Sequence, residues 1–139
     1  MLAAQIIVDE EPDYAEAEAA LAALAEQYPA YATADVTEMK THLAAVESHL
    51  QSAAAALASL FAVAHNVKGQ GASFGYELMT DLGEALCGLL RDRTTLAPEE
   101  LDNARAILAA CETVLTERLV GEGGARGKQL LSAAGVQPS

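Results

Sequence analysis

The sequence predicts an all-α protein, arranged as an antiparallel four-helix bundle with an accessory N-terminal helix. Three observations lead there. The chain is 52% hydrophobic but only 4% aromatic, and its apolar content is dominated by alanine, which favours closely packed helices over a sheet rich in β-branched and aromatic residues. Apolar residues recur every three to four positions through most of the chain, which is the period of a helix that buries one face. Proline and glycine cluster where those stretches end. At 139 residues one domain is expected, of a size that buries about two-thirds of the surface its unfolded chain exposes.

In chain order, a short apolar stretch, Ile6-Ile7-Val8, turns acidic before Pro12, which is placed to start a helix at Asp13. Ala17, Leu21, Leu24 and Tyr28 form its stripe, and Pro29 ends it. Residues 1–34 are thus an N-terminal segment with an accessory helix. Tyr31 and Thr33 fall in a connector, and Thr33 or Asp35 is a suitable N-cap, with Glu38 in the first turn. The bundle proper is expected over residues 35–120.

The next stripe, Val36, Met39, Leu43, Val46 and Leu50, continues in phase through Ala53, Leu57, Leu60, Ala64 and Val67. Such spacing permits one long helix over 35–70 or a coiled coil. A compact domain instead requires a turn near Leu50 to Ser52, with Ser52 as cap. The following helix, about Ser52 to Ala72, turns Ala56, Leu60, Val63, Val67 and Phe74 away from His65, so His65 points outward with Ala54, Ala58, Phe61, Ala62, Lys68, Gly69 and Ala72. That outward face is unusually apolar, which marks it as a docking surface. Gly71, Ser73 and Gly75 end the helix, Gly75 as a left-handed cap. Leu78, Met79, Leu82, Leu86, Leu89 and Leu90 then form a stripe running to Arg91, and Pro98, Glu99 and Glu100 open a helix carrying Leu101, Ala104, Leu108, Cys111, Leu115 and Leu119. The GEGGARG segment breaks this helix. Residues 121–139 are expected to be a flexible tail, with at most a short turn around Gln129 to Ala133.

The chemistry concentrates in Ala64–Tyr76, AHNVKGQGASFGY. On a helix Lys68 and Gly69 lie three and four residues beyond His65 and share its face. A neutral imidazole offers one nitrogen lone pair as nucleophile, a nearby ammonium neutralises phosphoryl oxygens after transfer, and a glycine lets another molecule come close. This stretch resembles the histidine phosphotransfer (HPt) family, whose signature is a His, two residues, Lys-Gly and a further Gly about ten residues after the His; His65, Lys68, Gly69 and Gly75 meet it. Over about Leu57 to Arg91 the text is locally most similar to the phosphotransfer domain of chemotaxis histidine kinases, where two polar side chains of the next helix complete a network with the histidine and lysine. Those positions fall on Glu84 and Cys87 here. The thiol departs from the pattern and leans toward a free-standing relay protein, as does the lack of a kinase domain in the sequence. Glu84 and Gln70 are the candidate supporting residues, with Glu84 able to accept a hydrogen bond from the imidazole.

The resemblance implies a phosphorelay carrier without an ATP site of its own. His65 would accept a phosphoryl group from a histidine kinase or an aspartyl phosphate and pass it to the receiver domain of a response regulator. That receiver would bring Mg²⁺, and no cofactor belongs to the carrier. The docking residues would be Phe61, Ala58, Ala62 and Ala72. A net charge of −12 repels nucleic acid and anionic membranes, and no apolar run suits a signal peptide or a membrane span, so a cytoplasmic, monomeric protein is expected. Within this charge the helix bearing His65 is distinctive, because Lys68 is the only formal charge between Glu47 and Glu77. Cys87 and Cys111 lie in apolar patterns and read as buried, reduced thiols. His42 and His49 lie near Glu38 and Glu47 without a third ligand spaced to complete a metal site. A metal-dependent bundle enzyme needs inward carboxylates with a Glu-x-x-His pair, which the sequence lacks. A non-catalytic helical interaction module or coiled-coil dimer fits the heptads and the apolar face but leaves the Lys68-Gly69 spacing unexplained.

Overall fold

The structure, a computed structural model, describes residues 14–48 and 53–137. Every regular element among them is helical: α1 (Tyr14–Ser48), α2 (Ala53–Gly71), a 3₁₀ turn (Ala72–Phe74), α3 (Glu77–Leu90), α4 (Pro98–Glu117) and α5 (Gly124–Ala133). α1 packs on α2 and α4, and α3 packs on the same two, so four helices close a ring around one core. Short connections make chain neighbours antiparallel. The stripes expected from sequence supply the interior: Met39 and Leu43 from α1, Leu57 and Leu60 from α2, Met79, Leu82 and Leu86 from α3, and Leu108 and Cys111 from α4 are all buried. Lys40–Glu112 and Arg105–Glu47 ion pairs, at 2.8 and 2.5 Å, cross the α1–α4 seam at the surface.

α1 corrects the expected boundary at Pro29. The helix runs through it without a connector, and Asp35 lies well inside, so among the described residues the expected accessory helix is continuous with the first helix of the bundle. Proline removes an amide hydrogen bond and crowds the preceding turn, which ordinarily ends or kinks a helix. Here tertiary packing overrides that preference. Tyr28, Pro29 and Ala32 are buried, and the Tyr28 ring lies 5.2 Å from that of Phe74 and 5.1 Å from that of Tyr76. Thr33 caps nothing; its hydroxyl donates back to the Pro29 carbonyl at 2.7 Å.

α1 ends at Ser48 and α2 packs back along it, which excludes the single helix over 35–70. The expected turn at Leu50–Ser52 lies outside the described residues, as do His49 and the segment from Ile6 to Asp13. The C-terminal segment is a second correction. Gly121 and Gly123 take left-handed φ values of 63° and 70°, so the glycine-rich stretch is a turn that returns the chain to the bundle. α5 then buries Leu130 and Leu131, and Arg126 forks onto Glu117 at 3.0 and 2.8 Å. Two leucines in a ten-residue helix form too short a pattern for periodicity to announce.

At the start of α4, Pro98 occupies the first turn as expected. Glu100 accepts the Ala97 amide at 2.8 Å and a fork from Arg93 whose second arm measures 2.6 Å. The Arg93 hydrogen bonds, then the Ala97 amide, hold the Glu100 carboxyl down to about 2.

Candidate functional site

α2 carries the candidate site on its outer face. His65, Gly69, Ala58, Ala62 and Ala72 are exposed, Phe61 and Lys68 are half-buried, and Ala56, Leu60, Ala64 and Val67 are buried on the other side. The predicted phase therefore places His65 where the structure has it. Val63 and Phe74 sit at the rim of the core, Phe74 because it belongs to the 3₁₀ turn and stacks on Tyr28.

Two contacts from α3 fix the α2 backbone at the level of Lys68, and the sequence did not announce either. The Thr80 hydroxyl accepts the Ala72 amide at 2.8 Å and donates to the Lys68 carbonyl at 2.9 Å, satisfying groups that a helix end leaves unpaired. Gly83 lies so close that a Cβ there would stand 2.7 Å from the Lys68 amide nitrogen. Gly69 differs, since a Cβ on it would meet nothing within 4 Å. Its open side faces outward, beside His65. Gly75 closes the 3₁₀ turn with φ +84°, its amide donating to the Ala72 carbonyl, and its own carbonyl accepts the Gly121 amide at 2.6 Å.

The His65 ring lies nearly parallel to Phe61, with centroids 6.2 Å apart and planes 17° apart. Over Phe61, in turn, stands the Arg91 guanidinium, 6.0 Å from the ring centroid. Arg91 is thus a second cation beside the face, one the sequence reading did not single out. Counting down the α2–α3 hairpin from Phe74 would have found it, because α3 passes the level of Phe61 as it ends. Lys68 Nζ lies 4.0 Å from Glu84 Oε1. Among the described residues no side chain hydrogen-bonds the imidazole; of the two roles open to Glu84 in the sequence, a partner of His65 or an ordinary surface charge, it is here an exposed charge 4.0 Å from Lys68. Gln70 turns elsewhere, donating to Asn66 at 3.3 Å and lining a cleft of about 350 Å³ with Leu24, Tyr31 and Phe74. Cys87 is buried. Burial pushes its thiol up against the opposing pull of Lys68 and Arg91, so at neutral pH it is a packing residue. Cys111 is likewise buried, and burial pushes its thiol up to about 12.

This arrangement offers one free nitrogen nucleophile on an apolar face flanked by two cations. It lies outside a cleft of about 660 Å³ between α3 and α5 beside Thr80, Asp81 and Lys128. His65 thus lies on an open face of α2 and not within that cleft. His42 has a different setting, its Nε2 being 3.3 Å from Glu38 one turn away, and no cluster of three metal-ligating side chains occurs among the described residues. In a family comparison the model of the Hpt domain matches residues 13–118. The chain belongs to the Hpt domain family. No curated relative and no solved structure matches it. The matched span covers all four helices of the ring and ends at Arg118, whose left-handed φ of 52° terminates α4. α5 lies beyond it. As an Hpt domain the protein has a histidine phosphotransfer role in phosphorelays, and none of its described helices is long and apolar enough to cross a membrane.

Proposed function

We propose that His65 is the phosphoacceptor of this Hpt domain and that it shuttles a phosphoryl group between a histidine kinase or phospho-aspartyl receiver and the receiver of a response regulator. One observation carries the reading. On the exposed face of α2 the imidazole stands without a hydrogen-bond partner among the described residues, one turn from Lys68 and from an unobstructed Gly69.

In the forward step an imidazole nitrogen attacks phosphorus in line, a P–N bond forms, and the P–O bond to the donor aspartate breaks with its carboxylate leaving. Loss of the ring proton returns the phosphoimidazole to neutrality, and transfer to the next aspartate reverses the sequence. Lys68 leaves Glu84, to which it is held only across 4.0 Å, and pairs with the phosphoryl oxygens. Arg91 reinforces the positive field at the edge of the same face. The receiver supplies Mg²⁺ and covers Phe61, Ala58, Ala62 and Ala72, keeping water out during transfer. The carrier binds no ATP and works in the cytoplasm, where its partners' phosphoryl donors are made. Mixing the protein with a phosphorylated receiver tests this reading. The receiver should lose label to the carrier within the mixing time, and a receiver whose dephosphorylation is unchanged by the carrier would refute it.

A further inference from the structure

The first four turns of α1 stand clear of the bundle. From Tyr14 to Gln27 no residue is buried, whereas an isolated helix of that length is marginal in water. Tyr14, Leu21, Leu24 and Tyr31 are 69%, 62%, 45% and 63% exposed. With Ala17 and Tyr28 they form a run spaced alternately three and four residues, all within about 60° of Tyr28 around the axis at 3.6 residues per turn. Farther along α1 the same side of the helix carries Ala32, Met39, Leu43 and Val46, which are buried under α2 and α4. The bare stripe is thus a continuation of the core face beyond the end of the bundle.

We propose that this arm is a self-association surface, with two copies pairing it antiparallel about a two-fold axis between Leu21 and Leu24. The register follows from the stripe. In that pairing Leu21 meets the partner's Leu24 and Tyr14 meets the partner's Tyr31, so all four exposed large side chains are covered at once. Ala17, the small member, falls against the partner's Tyr28, whose ring is already turned into its own core. The incoming Tyr14 also finds space, because Leu24, Tyr28 and Tyr31 border the open cleft of about 350 Å³. Charge selects the orientation. In a chain of net charge −12, a parallel pair would set Glu18 beside its own copy, whereas the antiparallel pair sets it beside Gln27 and leaves Glu16 and Glu26 on outer faces. The seam spans Tyr14 to Tyr31, about 27 Å at 1.5 Å per residue. The sequence led to the expectation of a monomer; a dimer through this arm departs from it. With α1 continuous, the arm is rigidly tied to the bundle and presents its apolar side to solvent.

The full-length chain in sedimentation equilibrium at micromolar concentration should show twice the 14.4 kDa chain mass. Leu21→Glu combined with Leu24→Glu should halve that mass while the bundle still melts cooperatively, since both side chains lie off the core. Orientation is read by cross-linking: a Leu21→Cys chain mixed with a Leu24→Cys chain should form a disulfide-linked pair far faster than Leu21→Cys alone. A wild-type mass of 14.4 kDa, a dimer indifferent to the double substitution, or equally fast self-linking of Leu21→Cys would overturn the proposal. So would a monomer that dimerises only once residues 1–13 are removed, which would assign the stripe to that segment. Phosphotransfer at His65 plays no part in these readouts, so the two readings fail independently.

Discussion

Under the proposed role of His65, Lys68 is the side chain that would answer a change of charge nearby. Its ammonium is one-third exposed and only loosely held by Glu84, so it can turn to a phosphoryl group without first breaking a tight pair. Charge-assisted contacts are worth about 1.5–3 kcal/mol, and Lys68→Ala should slow receiver-to-carrier transfer roughly ten- to hundredfold with little change in melting temperature, as followed by rapid-quench labelling. Glu100 makes a different residue-scale prediction. A carboxyl held below its ordinary value stabilises the fold above that value, and the contribution fades only as pH falls through the folded-state value of about 2. The excess melting temperature of wild type over Glu100→Gln should therefore persist at neutral pH and shrink between about pH 4.5 and 2. His65, Lys68 and Gly69 were legible as residues three and four apart on one helix. The Thr80 hydroxyl was not, because its role depends on how far α3 slides along α2, a distance no local pattern carries, whereas Arg91 needed the hairpin count as well as the local pattern.

Among the elements, the α2–α3 hairpin depends on glycine for its closeness. A Cβ at Gly83 would stand 2.7 Å from the Lys68 nitrogen and 2.9 Å from its Cα, backbone atoms that cannot swing aside. Gly83→Ala should destabilise by about 1–3 kcal/mol as overpacking does and should slow transfer by displacing Lys68. Gly88→Ala, where the added Cβ meets nothing within 4 Å, should instead stabilise by roughly 0.5–1 kcal/mol from helix propensity; urea melts of both variants check the contrast. α5 belongs to the folded unit, and Leu131, only 3% exposed, should cost about 2–5 kcal/mol when cut to alanine, whereas a loose tail would tolerate the change. The stripes of the four bundle helices were readable because each repeats over several turns. The continuity of α1 was not, since the local preference of Pro29 to break a helix was overridden by burial of Tyr28, Pro29 and Ala32, with Tyr28 packed against Phe74 and Tyr76. α5 was hidden for the opposite reason: its few buried residues are held by a glycine turn that sequence alone reads as an ending.

For the whole molecule, charge and packing divide the surface. Twenty acidic residues against eight basic ones leave the chain strongly negative, yet the stretch between Glu47 and Glu77 contains Lys68 as its sole formal charge, so under the proposed role an incoming phosphoryl group meets a locally neutral to positive helix. The ring of four helices holds that face rigid, and the Hpt domain match spans the same ring. The central claim is that the phosphoryl group rides on His65. Its most direct test is to map the adduct after mixing with a phosphorylated receiver, by phosphorus NMR and tandem mass spectrometry of the carrier. The account predicts one acid-labile, alkali-stable phosphoramidate on His65, absent from a His65→Gln variant whose melting curve is unchanged because an exposed side chain contributes little packing. Phosphate found on His42 or His49, or undiminished in His65→Gln, would contradict it.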